Sequence, residues 1–174
     1  MDESEVHLNP PLTKVWARRG QPAMVPAAGE DRKAVVFGGW NYRSEQLSWQ
    51  ISERKNSESF LSFLESLLEH RKPGRHLILV MDNAGYHRAR KVQSFLAAHA
   101  EALEPLWLTP YSPELNLIEY IWGYLKQKAT NNYFFGDLES LTQAVADACA
   151  ALNASPESPL QVHFNTLDHF RKAA

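Results

Sequence analysis

Three carboxylates stand where the sequence can hold oxygen donors in place: Asp2, Asp82 and Glu119. Mg²⁺ takes oxygen ligands and is held by a few carboxylates, with water and substrate phosphate completing its shell. Two such ions can stabilise both the attacking and the leaving oxygen of an in-line displacement at phosphorus. Each acid also has a plainer reading. Asp82 ends the apolar run His76-Leu77-Ile78-Leu79-Val80-Met81. Sites gather at the carboxyl ends of such strands in open α/β sheets, yet an Asp there also serves as a helix cap or turn former. Asn116 with Glu119 three residues on fits a capping box. The same spacing puts Glu119 in the first turn of a helix entered through a proline-stiffened loop, where its carboxylate would be rigidly held. Asp2 sits beside Glu3, and an acidic N-terminus is ordinarily solvated. There is no Gly-rich phosphate loop and no His-Glu-x-x-His helix.

The elements that must position these groups follow from periodicity. Residues 1–30 are turn-rich, punctuated by Pro10-Pro11, Gly20, Pro22, Pro26 and Gly29, with Lys14-Val15-Trp16-Ala17 the one strand-like run. Lys33–Trp40 and Gln46–Ile51 read as a hairpin with a half-buried face. Asn56 or Ser57 caps a helix carrying Phe60, Leu61, Phe63, Leu64, Leu67 and Leu68, which ends before Pro73-Gly74. The apolar run to Met81 suits a central strand covered on both faces. A helix over Arg88–Ala100 and a strand around Leu106-Trp107-Leu108 come next. Thr109-Pro110-Tyr111-Ser112-Pro113 is a rigid turn, and helices over Leu117–Lys128 and Leu138–Leu152 close the body. Residues Ala154–Pro159 form a loop, and Thr166–Lys172 allows a short helix. This order predicts an α/β fold: a mixed sheet, antiparallel meander plus parallel strands, with helices on both faces.

Composition narrows the classes. The 174 residues fit one domain, and 44% hydrophobic with 22% charged residues excludes a wholly disordered chain. Cys149 is the only cysteine, so neither a disulfide framework nor a Cys-based zinc site is available. That suits a reducing, cytoplasmic setting. Lys and Arg total 18 against 20 Asp and Glu, a formal net charge of −2, which argues against strong stand-alone nucleic-acid binding. No apolar run approaches a membrane span, and Met-Asp-Glu-Ser-Glu is not a signal peptide.

Two blocks carry a resemblance. Val80-Met81-Asp82-Asn83-Ala84-Gly85-Tyr86-His87, followed by Leu108-Thr109-Pro110-Tyr111-Ser112-Pro113-Glu114-Leu115-Asn116-Leu117-Ile118-Glu119-Tyr120-Ile121-Trp122-Gly123-Tyr124-Leu125-Lys126, closely resembles the catalytic core of mariner-like bacterial insertion-sequence transposases of the DDE superfamily. The 37 positions from Asp82 to Glu119 are similar to that family's second-to-third acid spacing. Asp2 with Val15–Pro22 is similar to the region of its first acid. The resemblance implies a ribonuclease-H-like fold over residues 1–174 as one catalytic domain, with its first strand cut short. It implies Asp2, Asp82 and Glu119 as catalytic, metal-binding residues for Mg²⁺ (Mn²⁺ as substitute), two ions in all. It also implies DNA as partner, at transposon ends and target, with a homodimer as the working form.

Asn83 and His87 match positions flanking the second acid. By chemistry, Asn83 could orient a metal-bound water, and His87 could contact phosphate or shape the loop. Trp122 and Lys126 share a helical face with Glu119. Trp122 reads as core packing, while Lys126, Arg18 and Arg19 are weak DNA-contact candidates. Leu117 replaces a proline common in the family and only Met1 precedes Asp2, so the resemblance implies a catalytic domain without the family's N-terminal helix-turn-helix region. The implied function is metal-dependent DNA cleavage at transposon ends and strand transfer into target DNA. A ribonuclease-H-like nuclease and a non-catalytic remnant or DNA-binding module are the alternatives.

Overall fold

A computed structural model of the chain describes residues 1–109 and 115–155. The expected turn at Pro110–Pro113, most of the Ala154–Pro159 loop and the helix at Thr166–Lys172 lie outside the described residues. The elements run β1 (Asp2–His7), β2 (Lys33–Asn41), β3 (Gln46–Ser52), α1 (Ser57–Glu69), β4 (Leu77–Met81), α2 (Arg90–Ala98), β5 (Leu103–Trp107), α3 (Ile118–Ala129) and α4 (Leu138–Ala154). The strands form two ladders, β1-β2-β3 and β4-β5. The β2–β3 pair is antiparallel and β4–β5 parallel, the mixed arrangement that the element order predicts.

The chain divides into two compact units, Met1–Ser4 with Val35–Glu119, and Glu5–Ala34 with the segment from Tyr120 onward. The first unit has a continuous apolar core. Val35 and Phe37 alternate along β2 and so share a face. They meet Phe60, Phe63 and Leu64 of α1, Leu79 and Met81 of β4, Val92 and Leu96 of α2, and Leu103 of β5. Helix α1 begins where expected because the Asn56 side chain accepts the Ser59 N–H at 2.9 Å, satisfying one of the donors that a helix start leaves unpaired. The β4–β5 ladder continues one step beyond β5, where the Leu108 N–H donates to the Met81 carbonyl at 2.8 Å. The Met1 ammonium donates to the Val80 carbonyl at 2.6 Å. Both bonds converge on the end of β4, immediately before Asp82.

In the second unit, α4 is capped by Asp137, whose carboxylate accepts the Ser140 N–H at 2.7 Å. It buries Leu141, Val145, Cys149 and Leu152, an apolar stripe at helical spacing. The segment after β1 is tied at its base by Asn132, which accepts from the Thr13 N–H at 2.8 Å and donates to the Thr13 hydroxyl at 2.6 Å.

Two expectations are corrected. Lys14–Ala17 is not a strand, and Trp16 within it is fully exposed; the strand of this region is Asp2–His7, with Asp2, Ser4 and Val6 on its buried face. Strand β4 is not covered on both faces among the described residues. Leu79 and Met81 are buried, but Ile78 between them is 61% exposed, so an unbroken apolar run here does not mean two covered faces.

Candidate active site

Asp82 leaves the parallel ladder at the end of β4, and the turn after it is organised around its carboxylate. Its Oδ1 accepts the Ala84 N–H at 3.0 Å and the His87 ring Nδ1–H at 2.8 Å. Among the described residues both hydrogen bonds to this side chain fall on Oδ1, and the side chain remains 46% exposed. The turn-forming role and availability to a ligand are therefore met by different parts of one carboxylate.

Asn83 braces the same turn from the other side. Its amide donates to the Leu108 carbonyl at 2.5 Å, and its oxygen accepts from Arg88, through Nε at 3.1 Å and through Nη2. Both ends of the amide are thus engaged, which makes Asn83 a bracket between β4 and the end of β5. The Arg88 guanidinium also lies 3.6 Å from the centroid of the Trp107 ring, a cation–π contact that holds a delocalised charge flat against the ring. Two of its five N–H groups meet Asn83; among the described residues the other three meet no acceptor.

His87 is fully buried. Its ring lies 4.2 Å from the Phe60 ring centroid and 4.3 Å from that of Tyr86, and burial lowers its pKa despite the neighbouring Glu3 and Asp82 carboxylates. Its Nδ1 bonds the Asp82 carboxylate across the turn.

Asp2 is buried on β1 at 9% exposure. Burial pushes its carboxyl up to about 7, and the carboxylates of Glu3, Glu119 and Asp82 push in the same direction. Three acids separated by 80 and 37 positions in the chain thus lie within one another's field at Asp2, all inside the first unit. The Met1 ammonium, lowered to about 6 chiefly by burial, is drawn back up by Asp2, Asp82 and Glu3.

Glu119 opens α3, with its N–H donating to the Asn116 main-chain carbonyl at 3.0 Å. Asn116 itself is buried. Among the described residues no three His, Cys, Asp or Glu side chains are drawn tightly enough to enclose an ion as they stand. The donor chemistry nevertheless fits a hard cation: three carboxylates from three segments, one of them driven toward protonation by burial and by neighbouring acids, are groups that a divalent ion can neutralise.

Lys126, Arg18 and Arg19 belong to the second unit. Arg18 and Arg19 are exposed, and the Arg18 carbonyl closes a turn to Gln21. Trp122 is buried, in keeping with core packing. Sequence reasoning missed Glu3, Lys55, Arg88 and Trp107. Arg88 directly follows His87, a hint of proximity, whereas nothing in the spacing of Glu3 and Lys55 relates either to the Asp82 turn.

Comparison with known proteins is consistent with this geometry. A family profile described as DDE superfamily endonuclease matches residues 1–142. The insertion element IS630 uncharacterized 39 kDa protein of Shigella sonnei is 28% identical over 144 residues, covering 83% of this chain and 42% of that protein. The uncharacterized protein y4pE/y4sA of Sinorhizobium fredii is 25% identical over 129 residues, covering 74% of this chain and 90% of that protein. Among solved structures, the Mos1 mariner paired end complex with Mn superposes at a TM-score of 0.65 with 22% identity, covering 86% of this chain and 47% of that one. The catalytic core domain of BIV integrase superposes at 0.56 with 16% identity, covering 80% and 90%. These likenesses establish a ribonuclease-H-like transposase and integrase fold, and the chain spans less than half the length of the Shigella and Mos1 relatives. Its match over residues 1–142 places the chain in the DDE superfamily of endonucleases.

Proposed function

We propose that this chain is the catalytic domain of a transposase that cleaves DNA at the ends of a mobile element and joins them to target DNA. It would act in the cytoplasm as a homodimer; among the described residues no helix is long and apolar enough to cross a membrane. The observation that supports this best is the field at Asp2, where burial and the carboxylates of Glu3, Glu119 and Asp82 combine.

Asp2, Asp82 and Glu119 are the residues that would hold the metal, two Mg²⁺ ions with Mn²⁺ as substitute. When bound, such ions activate water and neutralise charge developing at phosphorus. The chain's own part is positional. Asp82 keeps one oxygen in the turn and offers the other outward. Asn83 ties the Asp82 turn to the strand end at Leu108, and Arg88, braced on Asn83 and Trp107, presents spare N–H donors to a DNA phosphate beside the acids.

The test is strand cleavage of element-end DNA in Mg²⁺ or Mn²⁺. Asp82→Asn is expected to abolish cleavage while circular dichroism and the melting temperature show a folded domain. Unchanged cleavage would remove Asp82 from the mechanism. A wild-type chain that takes up no Mn²⁺ would instead favour a non-catalytic remnant.

A further inference from the structure

The segment between β1 and β2 is an exposed arm that the proposed cleavage chemistry does not use. Its foot is fixed. The Leu8 N–H donates to the Arg32 carbonyl at 2.7 Å, the Ala28 N–H to Asn9 Oδ1 at 2.9 Å, and the Asn132 N–H to the Pro11 carbonyl at 3.1 Å. Its tip is a turn at Arg18–Gln21, where the Gln21 N–H donates to the Arg18 carbonyl at 2.9 Å and Gly20 takes a φ of +81°, a conformation that glycine adopts without strain. Pro10 and Pro11 on one leg, and Pro22 and Pro26 on the other, stiffen the arm by fixing their own φ. Every residue from Pro11 to Met24 is exposed.

A single exposed apolar side chain needs no explanation, but several together mark a surface that meets something. This arm carries four between Leu12 and Met24: Leu12 at 72% exposure, Val15 at 53%, Trp16 fully exposed and Met24 at 87%. Among the described residues the Trp16 ring has neither an aromatic nor a cationic partner. The charge of the arm is equally one-sided. Lys14, Arg18 and Arg19 stand among the apolar groups and no Asp or Glu occurs from Pro10 to Gly29, in a chain whose formal net charge is −2. Among the described residues none of these three cations pairs with an acid.

Cations interleaved with an exposed aromatic ring suit a single strand of DNA. The cations follow its phosphates, and the ring stacks on a base that has left its pair. Self-association fits these groups less well. A two-fold contact between arms would set Lys14, Arg18 and Arg19 of one copy against the same three of the other, with no acid between them.

We propose that residues 10–29 form a DNA-binding arm, in which Trp16 stacks on an unpaired base while Lys14, Arg18 and Arg19 engage the flanking phosphates. This rests on the reading of the chain as a DNA-processing enzyme, since the strand ends that cleavage creates are where unpaired bases become available. It also gives a chain with no overall basic charge a local means of holding DNA.

The experiment uses the full 174-residue chain in EDTA, with a fluorescein-labelled thymidine strand of about 20 nucleotides, enough to span the site of such a binder, beside a duplex of the same length. Binding is read by anisotropy. Trp16→Ala is expected to weaken single-strand binding roughly 5- to 100-fold, the worth of one stacked base, and to change duplex binding far less. Trp16→Phe is expected to keep most of the affinity, because any ring can stack. The pair Arg18→Gln and Arg19→Gln should lower the log–log salt slope on the single strand by about 1.4, two phosphate contacts at about 0.7 each. Trp16 is fully exposed, so these variants are expected to fold, as circular dichroism will show.

Single-strand affinity equal to wild type in Trp16→Ala would overturn the arm, and so would an equal loss on single strand and duplex. Sedimentation supplies the rival outcome: a Trp16→Ala chain that loses a wild-type dimer while binding the strand as before would assign the arm to a second copy. The probe needs no metal, so the result stands apart from cleavage. The expected affinities in a chain that cuts no element-end DNA would uphold the arm and sink the transposase reading. Cleavage by a wild type whose strand affinity does not depend on Trp16 would do the reverse.

Discussion

The Asp2 carboxyl provides a quantitative check on the site, because its pKa rises from 3.8 in the unfolded chain to about 7 in the folded one. A group whose folded pKa lies above its unfolded value holds its proton longer in the native state. Folding stability is therefore lost as pH climbs between the two values. Each unit of pKa difference is worth about 1.4 kcal/mol, so a shift of about three units removes at most about 4 kcal/mol between pH 4 and pH 7. Asp2→Asn abolishes this dependence. The assay is urea unfolding followed by tryptophan fluorescence, in chelator, at half-unit steps from pH 4 to pH 8.

Other groups contribute slopes of their own. His87 and the Met1 ammonium are both lowered, so each favours folding as pH rises. The informative quantity is accordingly the difference between wild type and Asp2→Asn. The variant should gain stability over wild type as pH increases from 4 to 7, with the difference levelling beyond. In the wild type, apparent Mn²⁺ affinity should strengthen by up to about tenfold per pH unit over the same window, since the ion must displace the Asp2 proton. Parallel stability curves for the two proteins would refute the claim that Asp2 is crowded by Glu3, Glu119 and Asp82.

Two further outcomes follow from named contacts. Arg88→Ala should weaken binding to element-end DNA and lower the salt dependence of that binding by about 0.9 in log–log slope, the loss of one phosphate contact. Arg88→Lys should not restore it, because an ammonium cannot reproduce the guanidinium's flat contact with Trp107 together with its bond to Asn83; a slope unchanged by either substitution removes Arg88 from the DNA surface. Asn56→Ala removes the cap of α1 and should cost about 1 kcal/mol in urea unfolding at constant m-value, while a loss below about 0.3 kcal/mol would mean the helix start is held by packing alone.

The parts of the fold legible in the sequence are those where burial and polarity alternate in register with a regular element. The β2–β3 hairpin, α1 with its Asn56 cap and α4 all fall at or within a few residues of their expected bounds, because each carries apolar side chains at the period of its own backbone. Strand β1 was illegible for the converse reason. Its buried face is Asp2, Ser4 and Val6, a pattern that reads as a solvated acidic terminus, while the more apolar Lys14–Ala17 attracted the strand assignment and is exposed. Asp82 was visible as the end of an apolar strand, and Asp2 only through the resemblance. Glu3 and Lys55 were not visible at all, since their relation to His87 spans 84 and 32 positions and no local period encodes it.

The polarity of β1 has a physical explanation in the work of its two faces. Successive residues of a strand point to opposite sides, so a slip of one position would exchange Asp2 for Glu3 on each face. Asp2 would then meet Lys55 and His87, and the longer Glu3 side chain would stand opposite Asp82 and Glu119. The buried Val6 and Leu8 just downstream also hold the register, since a slip would turn both of these side chains out of the protein. A strand that carries two buried carboxylates on opposite faces near its start must draw its own stability from its apolar end. That division explains how Asp2, the Glu3 side chain and Ser4 come to lie in the interior.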